Sequence, residues 1–167
     1  SLDLSGNAQL GDGGAAILAG GLSCSASLRV LDLSGCGLTA TGACSLAAAL
    51  AQRGDKAGAA CSARHLEALQ LSDNAIGAQG AAALVGALTA AHGAALAGAS
   101  ADAPLPAVSL SLARCGIRGG DLQQHHQEQQ QPGSSCGGGL PAPQVSGLLL
   151  EGNALGDAGM VWLANTL

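Results

Sequence analysis

The stretch LEALQLSDNAIGAQGAAALVGAL, from Leu66 to Leu88, decides the fold of this chain. Its front half alternates apolar and polar residues, which is the period of a strand with one buried face. Its back half spaces leucines by four, which is the period of a helix with one buried stripe. The stretch therefore predicts a strand, a turn at Asn74 and a helix. Its frame, by which we mean the positions that should be buried, is Leu66, Leu69, Leu71, Asn74, Ile76, Gly80, Leu84 and Leu88.

The same frame recurs along the whole chain. The phrase Leu-x-Leu, two residues, then Asn or Cys begins at Leu2, Leu31, Leu69, Leu110 and Leu148. A single unit of this kind cannot bury its own apolar face, so neighbouring units must stack, strand beside strand and helix beside helix. We therefore predict one array of about five repeats, with boundaries 1–27, 28–65, 66–106, 107–144 and 145–167.

The position that ends each strand phrase carries Asn and Cys in alternation. An Asn amide at a tight turn can bond backbone groups that would otherwise stay buried and unpaired, at about 1–3 kcal/mol each. A reduced thiol is a small hydrophobe with a weak donor, so it can fill the same place. We predict a structural turn ladder of Asn7, Cys36, Asn74, Cys115 and Asn153.

This ladder, together with NALGDAG at Asn153 to Gly159, resembles the leucine-rich repeat of ribonuclease inhibitor and is similar to the repeats of NOD-like receptors. The resemblance implies an α/β solenoid, a horseshoe arc with parallel strands inside and helices outside. It implies protein binding without catalysis, although this fold serves many unrelated partners. A bare end would expose core surface, so we expect further repeats or neighbouring subunits at both ends, and a chain cut from a longer one.

The chain departs from the regular repeat at three insertions. We expect a surface loop near 51–65 and a helix extension followed by a loop near 89–106. In the low-complexity stretch 119–144, the frame glycine and leucines are replaced by Asp121, His125 and Gln129. We expect a short polar helix or a disordered excursion there, because almost nothing in the stretch can be buried.

Charge and composition exclude several classes of partner. The net charge of −5, with six basic residues and neither Tyr nor Phe, leaves no surface suited to nucleic acid. The uncharged stretch Ala75 to Ala101 is mostly Ala and Gly, too weakly apolar to enter a membrane. Reduced cysteines without a visible leader favour an intracellular location, cytoplasmic or cytoskeletal, including the cilium.

Two patterns hint at cofactor or metal chemistry, and both have a plainer explanation. Gly11, Gly13 and Ala16 match a dinucleotide fingerprint, but the segment aligns with the turn of the other repeats. His125, His126 and Cys136 lack the paired spacing of a zinc site, and adjacent histidines point apart on a helix. We expect no cofactor, no metal and no enzyme activity.

Recurring serines form a further pattern. Ser5, Ser34, Ser72 and Ser111 are assigned to one strand-end position, which makes them a structural repeat and not a set of nucleophiles. Trp162 precedes the helix leucine Leu163, and we expect it to cover a next repeat or a neighbouring chain.

The candidate protein-binding surface is the concave face, made by strand residues that point away from the core. Its acidic excess favours a basic partner. The candidate residues are Asp3, Asp32, Gln70, Asp73, Arg114, Leu149 and Glu151.

Three functions fit these features. We favour a scaffold within a large intracellular assembly, cytoskeletal or axonemal. The concave face has few of the aromatic and arginine side chains that anchor strong interfaces, and long insertions follow the helices. The alternatives are the regulatory or sensor repeats of a NOD-like receptor and, with least support, a GTPase-activating protein, which would need a catalytic arginine.

Overall fold

The computed structural model describes residues 1–22, 25, 27–51, 66–98, 108–129 and 145–166. Five strands and five helices alternate along the chain. The strands are β1 (Leu2–Asp3), β2 (Val30–Asp32), β3 (Ala68–Gln70), β4 (Val108–Ser111) and β5 (Val145–Leu149). The helices are α1 (Gly11–Leu22), α2 (Ala40–Ala51), α3 (Gly77–Gly98), α4 (Gly119–Gln129) and α5 (Gly156–Thr166).

The strands form one open parallel sheet in the order β1-β2-β3-β4-β5. The first frame leucine of each strand pairs with that of the next, from Leu2 with Leu31 to Leu110 with Leu148. This register stacks the leucines into columns between the sheet and the helices, where Leu31, Leu69 and Leu110 are at most 1% exposed. The α/β solenoid predicted from the sequence is confirmed.

The frame glycine lets consecutive helices approach closely. A Cβ added at Gly80 in α3 would stand 2.8 Å from Ala43 Cβ in α2 and 2.5 Å from Ile76 Cγ2 in its own repeat. Real Cβ atoms do not make such contacts, so any larger residue would push the two helices apart. The glycine therefore sets the spacing of the helix layer.

The fourth repeat breaks this rule. Asp121 occupies the frame position of the glycine and is exposed, while the neighbouring Leu122 is only 1% exposed and is the buried apolar residue of α4. In the following repeat Trp162 stands where α2 and α3 have Ser45 and Ala83, and it is 6% exposed. The expectation that Trp162 covers a further repeat or a neighbouring chain is wrong, because its side chain is buried in the core of this chain.

The insertions fall partly within the described residues. Helix α3 runs on past Leu88 to Gly98, and the low-complexity stretch begins with the helix α4. Residues 52–65, 99–107 and 130–144, which hold the rest of the three insertions, lie outside the described residues. Within the described ranges, no helix combines the length and the apolar character needed to cross a bilayer.

A carboxylate of the first repeat caps the helix of the second. Asp12 Oδ1 accepts hydrogen bonds from the backbone N–H of Thr39 (2.8 Å) and of Gly42 (3.0 Å). Asp12 Oδ2 accepts one from the Thr39 hydroxyl (2.6 Å). The side chain thus satisfies donors that the start of α2 leaves open. These hydrogen bonds lower the pKa of Asp12, and the bond from the Thr39 hydroxyl has the largest effect.

We predict that this cap makes stability depend on pH. Because the pKa of Asp12 is lower in the folded than in the unfolded chain, its contribution is present above about pH 4 and is lost as the pH falls further. The variant Asp12→Asn should therefore show a smaller loss of Tm between pH 7 and pH 3 than the native chain. Asp157→Asn, at the same frame position in the fifth repeat, is the control. Equal pH profiles for the native chain and Asp12→Asn would contradict the cap.

Candidate protein-binding face

The turn ladder fixes the strand ends on which the candidate face is built. Asn74 Nδ2 donates to the carbonyl oxygens of Leu33 (2.8 Å) and Leu71 (2.9 Å). Asn74 Oδ1 accepts from the backbone N–H of Cys36 and of Leu38, both at 3.0 Å. One side chain, 4% exposed, therefore satisfies its own turn and the turn of the preceding repeat.

Each of the two ladder cysteines donates from its thiol to a backbone carbonyl of the preceding repeat. Cys36 Sγ donates to the Leu4 carbonyl at 3.0 Å, and Cys115 Sγ donates to the Leu71 carbonyl at 3.2 Å. Both cysteines are fully buried and unpaired. Burial raises the pKa of each thiol above its ordinary value, so both stay protonated at neutral pH and keep their donors.

Of the surface residues predicted from the sequence, four lie in one line across the sheet. The strand register pairs Asp3 with Asp32, Asp32 with Gln70, Gln70 with Ser111, and Ser111 with Leu149. We call these five positions the concave row. It runs from acidic residues through neutral polar ones to Leu149, which is 63% exposed.

The two aspartates of the concave row also support the backbone. The N–H of Ser5 donates to Asp3 Oδ1 and that of Ser34 donates to Asp32 Oδ1, each at 2.9 Å. The bonds to Ser5 hold the pKa of Asp3 below its ordinary value. Like charges on paired positions of adjacent strands repel each other, so this acidic end of the row favours a cation.

The register corrects the assignment of the serines. Ser111 pairs with Gln70 and belongs to the concave row, whereas the position equivalent to Ser72 in the fourth repeat is Ala113. The hydroxyls of Ser72 and Ser111 are 2.8 Å apart and join the two positions diagonally. The four serines therefore do not share one strand-end position.

Asp73 and Arg114 lie at the strand ends, in what we call the exit row. The backbone takes a positive φ there in all five repeats, and three of them use glycine: the row is Gly6, Gly35, Asp73, Arg114 and Gly152. Asp73 (φ 58°) and Arg114 (φ 53°) hold the same conformation with full side chains. Left-handed backbone is unfavourable for such residues.

An ion pair joins these two strained positions. Arg114 Nε and Nη2 donate to the two carboxylate oxygens of Asp73, each at 2.5 Å. This pairing holds the pKa of Asp73 below its ordinary value and raises that of Arg114. The Arg114 stem lies over Gly152, where an added Cβ would stand 2.7 Å from Arg114 Cγ. Glu151, also predicted from the sequence, lies one position before Gly152 and adds a further negative charge near Arg114.

A second ion pair, which the sequence did not indicate, joins the starts of two strands. Arg29 Nη1 donates to Glu67 Oε1 at 2.6 Å, and both side chains are about half exposed or more. Arg29 and Arg114 are thus both bound to a carboxylate of the adjacent repeat. Neither is a free guanidinium of the kind that a GTPase-activating arginine requires.

Candidate cofactor and metal residues give no assembled site among the described ranges. The glycine-rich segment at Gly11 forms the start of α1, and its Asp12 is engaged by α2. The described residues contain no group of three or more His, Cys, Asp or Glu placed to hold a metal ion. Cys136 and the side chains of His125 and His126 lie outside what the structure describes.

Comparison with known families agrees with this architecture. Residues 1–19, 24–47 and 62–85 match the family model of the leucine-rich repeat. The search of curated proteins finds no match. The matched segments and the open parallel sheet together define a leucine-rich-repeat solenoid, a fold that generally binds other proteins and is typically non-catalytic.

Proposed function

We propose that this chain is a non-catalytic interaction scaffold that binds a partner protein on its concave face. The observation that carries the proposal is the Asp73–Arg114 pair: two exposed, charged side chains stand where three other repeats place glycine. Strained backbone persists where the surrounding structure enforces it, and it concentrates at functional sites. Arginine is also among the residues most often central to protein interfaces.

We further propose that the scaffold belongs to a large intracellular assembly, cytoskeletal or axonemal. The support is the combination of a concave row with few residues of the types that anchor interfaces and three long insertions, which follow α2, α3 and α4 in the sequence and could engage further neighbours. A regulator of the NOD-like receptor type would instead form a nucleotide-dependent self-complex, and a GTPase activator would engage a single small GTPase. The identity of the native partners therefore distinguishes these three functions.

The test compares two glutamines of the third repeat. A photo-crosslinking amino acid replaces Gln70 in the concave row or, as the matched control, the exposed Gln79 on α3. The protein is expressed in its native cells and the cross-linked partners are identified by mass spectrometry. Constant structural partners at fixed stoichiometry, cross-linked from position 70, support the scaffold. Cross-links formed only from position 79 would overturn the use of the concave face.

We predict that Arg114→Gly weakens partner binding while preserving the fold. Glycine suits the positive φ, so Tm should change by no more than about 5 °C. Loss of a central arginine contact should weaken binding by about tenfold or more. The control is Arg29→Ala, which breaks the other exposed ion pair at the opposite end of the strands. Unchanged binding of Arg114→Gly would remove this residue from the interface.

A further inference from the structure

The concave row presents a single line of side chains across the strands. Side chains two positions away along each strand point to the same face, and most of those beside the row are small. Ala68 and Gly147 lie on one side of the row, and Ser34 and Ser72 lie on the other. The row is therefore a low ridge, one side chain wide, that crosses the strands between two lines of mostly small residues.

Charge is distributed unevenly along this row. Asp3 and Asp32 form an acidic end. The two described arginines at the ends of the strands, Arg29 and Arg114, are each paired with a carboxylate of the chain itself. A partner that carries a cation at this end of the row would therefore be complementary to Asp3 and Asp32. At the other end of the row, Leu149 presents an apolar side chain that is 63% exposed.

The strand spacing fixes the distance between these two ends. Asp32 and Leu149 are three strand steps apart in the register. Neighbouring strands lie about 4.8 Å apart, so the two positions are about 14 Å apart. An extended chain rises about 3.3 Å per residue, so residues i and i+4 span about 13 Å and point to the same face.

We propose that the concave row binds an extended peptide segment carrying a lysine or arginine four residues from an aliphatic residue. The cation lies over Asp3 and Asp32, and the aliphatic side chain packs on Leu149. This inference rests on the proposed function, because it names the chemistry of the partner that the concave face holds.

The test is a selection of phage-displayed random peptides, about ten residues long, on the full chain. We expect enriched peptides to carry the basic and aliphatic residues at the i, i+4 spacing. Asp32→Asn should weaken their binding by about two- to fivefold, because it removes the charge yet keeps the oxygen that accepts the Ser34 N–H. Leu149→Ser should weaken it by about tenfold or more.

The control is Asp121→Asn, which makes the same charge change at an exposed position of α4, outside the concave row. Peptides of the expected pattern that respond to Asp32→Asn and Leu149→Ser but not to Asp121→Asn support the inference. Peptides without the pattern that still respond to Leu149→Ser overturn the partner chemistry and leave the concave face as the binding surface. Peptides insensitive to both concave variants overturn the inference and the proposed function together.

Discussion

Replacing Asn74 with alanine will lower the free energy of unfolding by about 3–5 kcal/mol. The variant removes the described partner of three buried backbone groups, the carbonyl of Leu33 and the N–H groups of Cys36 and Leu38, and leaves the Leu71 carbonyl with the Cys115 thiol alone. The turns of two repeats lose hydrogen bonds at once, so the loss of stability exceeds that caused by removing one ordinary hydrogen bond. Urea denaturation followed by circular dichroism measures the change.

Asn7 provides a matched control for this experiment. It holds the same ladder position in the first repeat, but it is exposed and its described bond is to the Leu4 carbonyl, at 2.8 Å. Asn7→Ala should therefore cost about 1 kcal/mol or less. Asn74→Cys should cost less than Asn74→Ala, because a thiol already serves this position at Cys36 and Cys115. Equal losses for Asn7→Ala and Asn74→Ala would contradict the ladder as the link between repeats.

The second large effect is expected at Gly119, where α4 crosses the fifth repeat. A Cβ there would stand 1.7 Å from the carbonyl oxygen of Leu155 and 2.4 Å from the backbone nitrogen of Gly159. Both atoms are backbone, so the fifth repeat must move as a whole. Gly119→Ala should destabilise the chain by about 3 kcal/mol or more.

The neighbouring residue, Gly120, provides a matched control for this prediction. A Cβ at Gly120 would meet nothing within 4 Å, and Gly120 lies inside the same helix. Gly120→Ala should stabilise the chain by about 0.5–1 kcal/mol, because alanine favours the helix. The chain has one Trp and no Tyr, so the fluorescence of Trp162 in α5 reports on the repeat that Gly119→Ala displaces. An unchanged denaturation midpoint for Gly119→Ala would contradict the close crossing.

Much of the fold could be read from periodicity alone. Burial of Leu69 and Leu71 on one face of a strand, and of Leu84 and Leu88 on one face of a helix, depends only on spacing within one repeat. The ladder positions followed for the same reason, since each is a fixed number of residues from its own strand. The exit row had a usable signal as well, because glycine recurs at Gly6, Gly35 and Gly152.

Other features could not be predicted because they join residues from different repeats. Asp73 binds Arg114 across 41 positions, and Asp12 caps α2 across 27 to 30 positions. Repeat steps of 29, 38, 41 and 38 residues remove any constant spacing between such partners. Trp162 was expected on the wrong surface for this reason. The position of Ser111, by contrast, could have been read from its own repeat, since it lies four residues before Cys115 whereas Ser72 lies two before Asn74.

The sequence by itself determined the repeat, its strand-turn-helix order, its buried frame and the Asn and Cys ladder, because these are set by local periodicity and by the hydrogen-bonding needs of one turn. Only the tertiary structure decided which side chains of different repeats stand together: the concave row, the strained Asp73–Arg114 pair, the cap at Asp12 and the burial of Trp162. Stacking sets the strand register, and that register, not distance along the chain, brings these side chains together.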